Sequence, residues 1–240
     1  MSGHSKWSKV KHQKAVTDTV KARLFTKASH AITIAVHEGG GVTDPIGNFK
    51  LRLAIENARA VNMPKDNIDR AIERAAGIGG RGIETILYEG FGPKGVAMLI
   101  ESVTDNRQRT VSVVRNVLEK HGGHLGPPGS VHYLFDAVGI IVVAKEGIVY
   151  DTLLEVAINA GARDCIEEAD GYVLFTAVSS LFSVKSGVEE KGVTVTHADV
   201  VYQPKMMIPI EGVDKVTLER LVETLEDSDD VQRVFTNADS

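Results

Sequence analysis

Apolar residues recur every three or four positions through the first third of the chain. Val20, Leu24, Ala28, Ile32 and Ala35 fall on one face of a helix, and the run Gly39-Gly40-Gly41 stops it. A second stripe, Leu51, Ile55 and Ala58, predicts a helix from about Gly47 to Val61 that breaks at Met63-Pro64. Pro64 suits the first turn of a third helix, with Asp66 near its positive end and Ile68, Ile72 and Ala75 as its buried stripe. Gly77-Ile78-Gly79-Gly80 closes the region. Three helices joined by short breaks predict a small bundle.

After Gly82 the period shortens. Thr85–Tyr88 and Val96–Val103 read as strands, followed by a helix that carries Val111, Val114 and Leu118, with Asp105 as its candidate cap. Val131–Phe135 and Gly139–Val143 read as a second strand pair, and a helix through Leu153, Leu154, Ala157 and Ile158 follows. Then come strands at 164–168 and 172–176, a helix over about Ser180–Lys191 and a strand at Val193–Tyr202. The chain finishes with a short strand at Met206–Pro209, a helix at Leu218–Leu225 and a strand at Val231–Thr236. So few helices can cover only one face of antiparallel sheets, which makes the class α+β. The segment 131–203 holds enough for one complete small sheet with two helices. The segment 82–130 looks incomplete until 204–240 adds a helix and a strand. The expected organisation is therefore a basic arm and helical bundle over 1–81, a discontinuous α/β domain over 82–130 and 204–240, and an inserted α/β domain over 131–203.

Charge changes the picture from fold to function. The chain carries a net charge of −5, yet residues 1–81 hold 14 Lys/Arg against 7 Asp/Glu and residues 82–240 hold 13 against 25. The excess is densest at the start, where Lys6, Lys9, Lys11, Lys14, Lys21, Arg23 and Lys27 face only Asp18. A local field opposed to the sign of the whole points to a polyanionic partner. The alternative is that the basic and acidic surfaces merely attract each other. His12 lies among these lysines, and so does Trp7, the only tryptophan. Trp7 has two readings, stacking on a base or pinning the arm to the bundle. Arg107 and Arg109, at a helix start, have two as well: local ion pairs around a cap, or a secondary phosphate contact.

Other chemistry finds little support. Gly90-Phe91-Gly92-Pro93-Lys94-Gly95 matches GxGxxG, but a strand rather than a helix follows, so it reads as a hairpin loop and not a dinucleotide site. His121, His124 and His132 lack a neighbouring Asp, Glu or Cys at metal-ligand spacing. Cys165 is the only cysteine, so no internal disulfide or Cys-based zinc site can form, and its acidic neighbours raise its pKa. Glu167 and Glu168 are adjacent in a strand and point to opposite faces. No catalytic residue, cofactor, metal or small-molecule substrate is expected. With no long apolar run, no membrane association is expected either, and a cytoplasmic location is.

Gly3-His4-Ser5-Lys6-Trp7 and Asn62-Met63-Pro64-Lys65-Asp66-Asn67-Ile68 give the chain a specific resemblance. With Phe25-Thr26-Lys27, Arg52-Leu53-Ala54-Ile55, Tyr88-Glu89-Gly90, Thr104-Asp105-Asn106-Arg107 and His121-Gly122-Gly123, it resembles the YebC/PmpR family, related to the mitochondrial translational activator of cytochrome c oxidase. Gly126-Pro127-Pro128-Gly129 is more proline-rich than that pattern leads one to expect. The resemblance implies an N-terminal helical domain and two interleaved, ferredoxin-like α/β domains. It also implies a nucleic-acid-binding regulator, a transcriptional one acting on DNA. The alternative it implies is a ribosome-associated factor that contacts rRNA and assists synthesis of proline-rich stretches. It carries over no active site.

Overall fold

The computed structural model describes residues 18–77 and 83–239. It begins with three helices, α1 (Asp18–Glu38), α2 (Phe49–Ala60) and α3 (Lys65–Gly77). Ile32, Ala35 and Val36 of α1 pack on Leu51, Ala54, Ile55 and Ala58 of α2 and on Ile68, Ala71 and Ala75 of α3. The turn between α1 and α2 is built around Asn48. Its side chain accepts from Leu51 N at 3.1 Å as an N-cap, and its amide donates to the carbonyls of Ala35 at 2.8 Å and Val42 at 3.0 Å. A Cβ on Gly39 would lie 2.1 Å from Asn48 Nδ2, so this glycine makes room for the amide, while Gly40 and Gly41 supply the positive φ angles of 70° and 84°.

The rest of the chain builds antiparallel sheets with helices on them. β1 (Glu84–Phe91) and β2 (Ala97–Thr104) form a hairpin, then come α4 (Arg107–Lys120) and the short β3 (His124–Leu125). β4 (Phe135–Ala144), α5 (Tyr150–Ala160), β5 (Asp164–Glu168), β6 (Gly171–Thr176), α6 (Leu181–Glu189) and β7 (Val195–Pro204) follow. β8 (Ile208–Pro209), α7 (Gly212–Glu226), β9 (Val231–Thr236) and β10 (Ala238–Asp239) end the described chain. One sheet has the order β3-β1-β2-β9 and the other β5-β6-β4-β7, while β8 and β10 pair in parallel. The first sheet is completed only by β9, after the chain has built the second sheet and returned. The class is α+β, with helices first and antiparallel sheets after them.

Two compact units result. Residues 137–202 form one, in which β6 is wholly buried and β4 is mostly buried from Val138 on, as are Leu153 and Ala157 of α5 and Leu181, Val184 and Val188 of α6. Residues 18–77, 83–136 and 203–239 form the other, which joins the helical bundle to the first sheet. Its sheet core holds Tyr88, Met98, Ile100, Val114, Leu118, Leu218, Leu221, Leu225 and Val234.

Several local expectations change. The helix after β2 is capped by Asn106, whose side chain accepts from Arg109 N at 3.0 Å, and not by Asp105. Val131–Phe135 is not a strand: His132–Leu134 is a 3-10 turn, and the strand starts at Phe135. The cause is Glu89, 7% exposed in β1. Its carboxylate accepts from the backbone N–H groups of Gly129 at 2.5 Å, Val131 at 2.7 Å and His132 at 2.8 Å. Three donors converging on one carboxylate cannot also run a ladder, and Pro127 and Pro128 have no N–H to give. Burial pushes the Glu89 carboxyl up, but these three donors outweigh it and hold the group below its ordinary value.

Candidate nucleic-acid interface

Of the residues expected to meet a polyanion, Lys6, Trp7, Lys9, Lys11, His12 and Lys14 lie outside the described residues. Lys21, Arg23 and Lys27 stand on α1 and take different environments. Lys21 is exposed. Arg23 forms an ion pair with Asp227, beyond the end of α7. Lys27 donates to the main-chain carbonyl of Gln232 in β9 at 3.1 Å. Burial lowers the Lys27 pKa, with Arg23 and Arg233 pulling the same way against Glu226 and Asp227. His30 Nδ1 lies 3.3 Å from Gln232 Nε2, and burial lowers its pKa despite Asp230, Asp229 and Asp105. Positions 23, 27 and 30 are one helical turn apart and share a side of α1. That side is seated on the acidic segment 226–232 of the same unit, so Arg23 and Lys27 are engaged within the chain.

Arg109 is engaged too. Its Nη2 lies 2.9 Å from Asp105 and 3.0 Å from Asp230, and Asp230, whose side chain is 13% exposed, also accepts from Thr110 Oγ1 at 2.7 Å. The hydrogen bond that Arg109 donates to Asp230, more than any other contact, raises the Arg109 pKa. Arg107 is exposed, and its carbonyl accepts from the Tyr88 hydroxyl at 3.3 Å.

The other side of α1 borders a cleft that sequence reading did not single out. Phe25, Thr26 and Ser29 of α1 face Met63, Asn67, Arg70 and Arg74 on and before α3, around about 210 Å³. Arg70 is braced there: Nε donates to the Asp66 carbonyl at 3.0 Å and Nη2 to Asn67 Oδ1 at 2.5 Å. The available signal was the spacing of Arg70 and Arg74, four apart on an amphipathic helix, but it was masked by Asp66, Asp69 and Glu73 in the same helix.

The remaining motifs settle structurally. Gly92 N donates to Val96 O at 2.8 Å across a tight turn in which Lys94 and Gly95 have φ of 58° and 75°, and β2 follows directly. The GxGxxG run is therefore a hairpin loop. His121 contacts the Val117 carbonyl at 2.9 Å, and His124 stacks on Phe91 with centroids 5.0 Å apart. Among the described residues no group of His, Cys, Asp and Glu could hold a metal ion, and no helix is long and apolar enough to cross a membrane.

Comparison with known proteins fits this architecture. Residues 5–78 match the TACO1/YebC protein N-terminal domain, and residues 83–238 match the TACO1/YebC second and third domain. A probable transcriptional regulatory protein of Thermoanaerobacter pseudethanolicus is 44% identical over 241 residues, covering 100% of this chain and 97% of the relative. One of Geobacter sulfurreducens is 42% identical over 240 residues, covering 100% and 96%. The crystal structure of a conserved hypothetical protein from Aquifex aeolicus superposes with a TM-score of 0.88 at 38% identity, over 98% of this chain and 97% of that one. On sequence and on fold alike, the chain belongs to the TACO1/YebC family.

Proposed function

We propose that the protein is a transcriptional regulator that binds DNA through its basic N-terminal segment. The observation that carries this reading is the density of seven Lys/Arg against one Asp in the first 30 residues of an acidic chain. The names of its relatives in Thermoanaerobacter and Geobacter, probable transcriptional regulatory proteins, support it. Lys6, Lys9, Lys11 and Lys14, with Lys21 and His12, meet the phosphates, and Trp7 lies among them. Arg23 and Lys27 hold α1 on the segment 226–232. Arg107 is the exposed candidate for a secondary phosphate contact, with Arg109 positioned by its two carboxylates beside it. The function is binding rather than turnover, and its place is the cytoplasm.

Fluorescence anisotropy with a labelled duplex tests the reading. Replacing Lys6, Lys9 and Lys11 together by Glu is expected to abolish binding. Unchanged affinity would refute it.

A further inference from the structure

The cleft between α1 and α3 has features that a merely structural groove does not need. Two stretches that carry the family resemblance, Phe25-Thr26-Lys27 and Asn62 to Ile68, are far apart in sequence and meet there through Phe25, Thr26, Met63 and Asn67. Two arginines stand at its rim, and no carboxylate of a described residue lines it. Arg70 is held by the Asp66 carbonyl and Asn67, which presents its remaining N–H groups in a fixed orientation. The Arg74 guanidinium makes no hydrogen bond or ion pair to another described residue, and both arginines are exposed. A pair of cationic forks next to a half-buried aromatic edge is the chemistry of a nucleotide: guanidinium groups for the phosphate, and the part of Phe25 left uncovered by the bundle core for a ring, with Met63 buried behind it. At about 210 Å³ the cleft is smaller than the roughly 300–1,000 Å³ that accommodate drug-sized ligands. One base with its phosphate suits it better than a cofactor.

We infer that this cleft seats an unpaired nucleotide of the bound nucleic acid, with Arg70 and Arg74 on its phosphate and Phe25 against its base. The inference rests on the proposed nucleic-acid binding and adds a second, base-accepting contact to it. A paired base lies within its stack and cannot enter, so the cleft favours single-stranded over duplex segments.

The test uses the full chain and a labelled oligodeoxynucleotide carrying one photoreactive 5-iodouracil, compared as single strand and as duplex. The expected result is a cross-link to Phe25 with the single strand and none with the duplex. Arg70→Ala with Arg74→Ala should weaken single-strand binding about tenfold and reduce the salt slope by about 1.4, the loss of two phosphate contacts. Arg70→Lys with Arg74→Lys should restore most of the affinity and, because it keeps both charges, provides a variant expected to fold normally. Cross-links confined to residues 1–17, together with a salt slope unchanged by the double alanine variant, would overturn the inference while leaving the N-terminal segment's role intact. If reversing Lys6, Lys9 and Lys11 leaves binding unchanged, the underlying reading fails separately.

Discussion

Lys27 Nζ donates to the main-chain carbonyl of Gln232 at 3.1 Å, across 205 residues of sequence. A lysine from the most basic stretch of the chain is thus spent inside the fold, on the segment that follows the acidic end of α7. A charged donor to a partly buried carbonyl contributes about 1.5–3 kcal/mol. Lys27→Ala should lower unfolding free energy by about 1–2 kcal/mol in urea melts. The same variant should change nucleic-acid affinity less than twofold, because this ammonium already has its partner.

Glu89 gives the protein an acid-sensitive loop. Its carboxyl is held below the ordinary value of 4.5 by the Gly129, Val131 and His132 N–H groups, against the opposing effect of burial. The folded state therefore binds this proton more weakly than the unfolded chain. The stabilisation is fully present above the ordinary carboxylate value and is lost as pH falls through the lowered one. Glu89→Gln should flatten that part of the pH–stability curve. Glu89→Ala leaves three backbone donors unmet and should cost about 3 kcal/mol at neutral pH, read by thermal or urea unfolding.

Asn48 and Gly39 act as one device. Asn48→Ala removes an N-cap and the bridge to Ala35 and Val42, and should cost about 2 kcal/mol. Gly39→Ala pushes a methyl into the amide that Asn48 supplies. In the Asn48→Ala background that clash is gone, so the double variant should lose much less stability than the sum of the two single losses in a double-mutant cycle.

Cys165 lies in β5 at 3% exposure, and burial first, then Asp164, pushes its thiol up to about 11. At pH 8 almost none of it is thiolate. Native protein should resist alkylation by iodoacetamide for hours, and denatured protein should react in minutes, as followed by mass spectrometry.

These cases mark what the residue pattern could and could not convey. The stripes Leu51-Ile55-Ala58 and Ile68-Ile72-Ala75 located α2 and α3 because local burial alone sets their period. The hairpin at Gly90–Gly95 was equally legible, since alternating Val96, Met98 and Ile100 rule out a following helix. The turn at His132–Leu134 was not legible, because its shape is set by a carboxylate more than 40 residues upstream. Nor does spacing reveal which lysines and arginines of the basic stretch are spent within the fold. Arg23 and Lys27 look like Lys21 in sequence, and only the packing of α1 on segment 226–232 separates them. The Arg70–Arg74 cleft was hidden for a similar reason, because it forms only when α1 and α3 pack.

The central claim is that the N-terminal lysines release counterions from a phosphate backbone. Measuring duplex affinity from 50 to 200 mM salt tests it directly. If about six cations make contact, log K should fall against log salt with a slope of about −5. Replacing Lys6, Lys9 and Lys11 by Gln should bring that slope to about −3. A slope near zero for the unaltered protein, or the same slope in the triple variant, would contradict the claim.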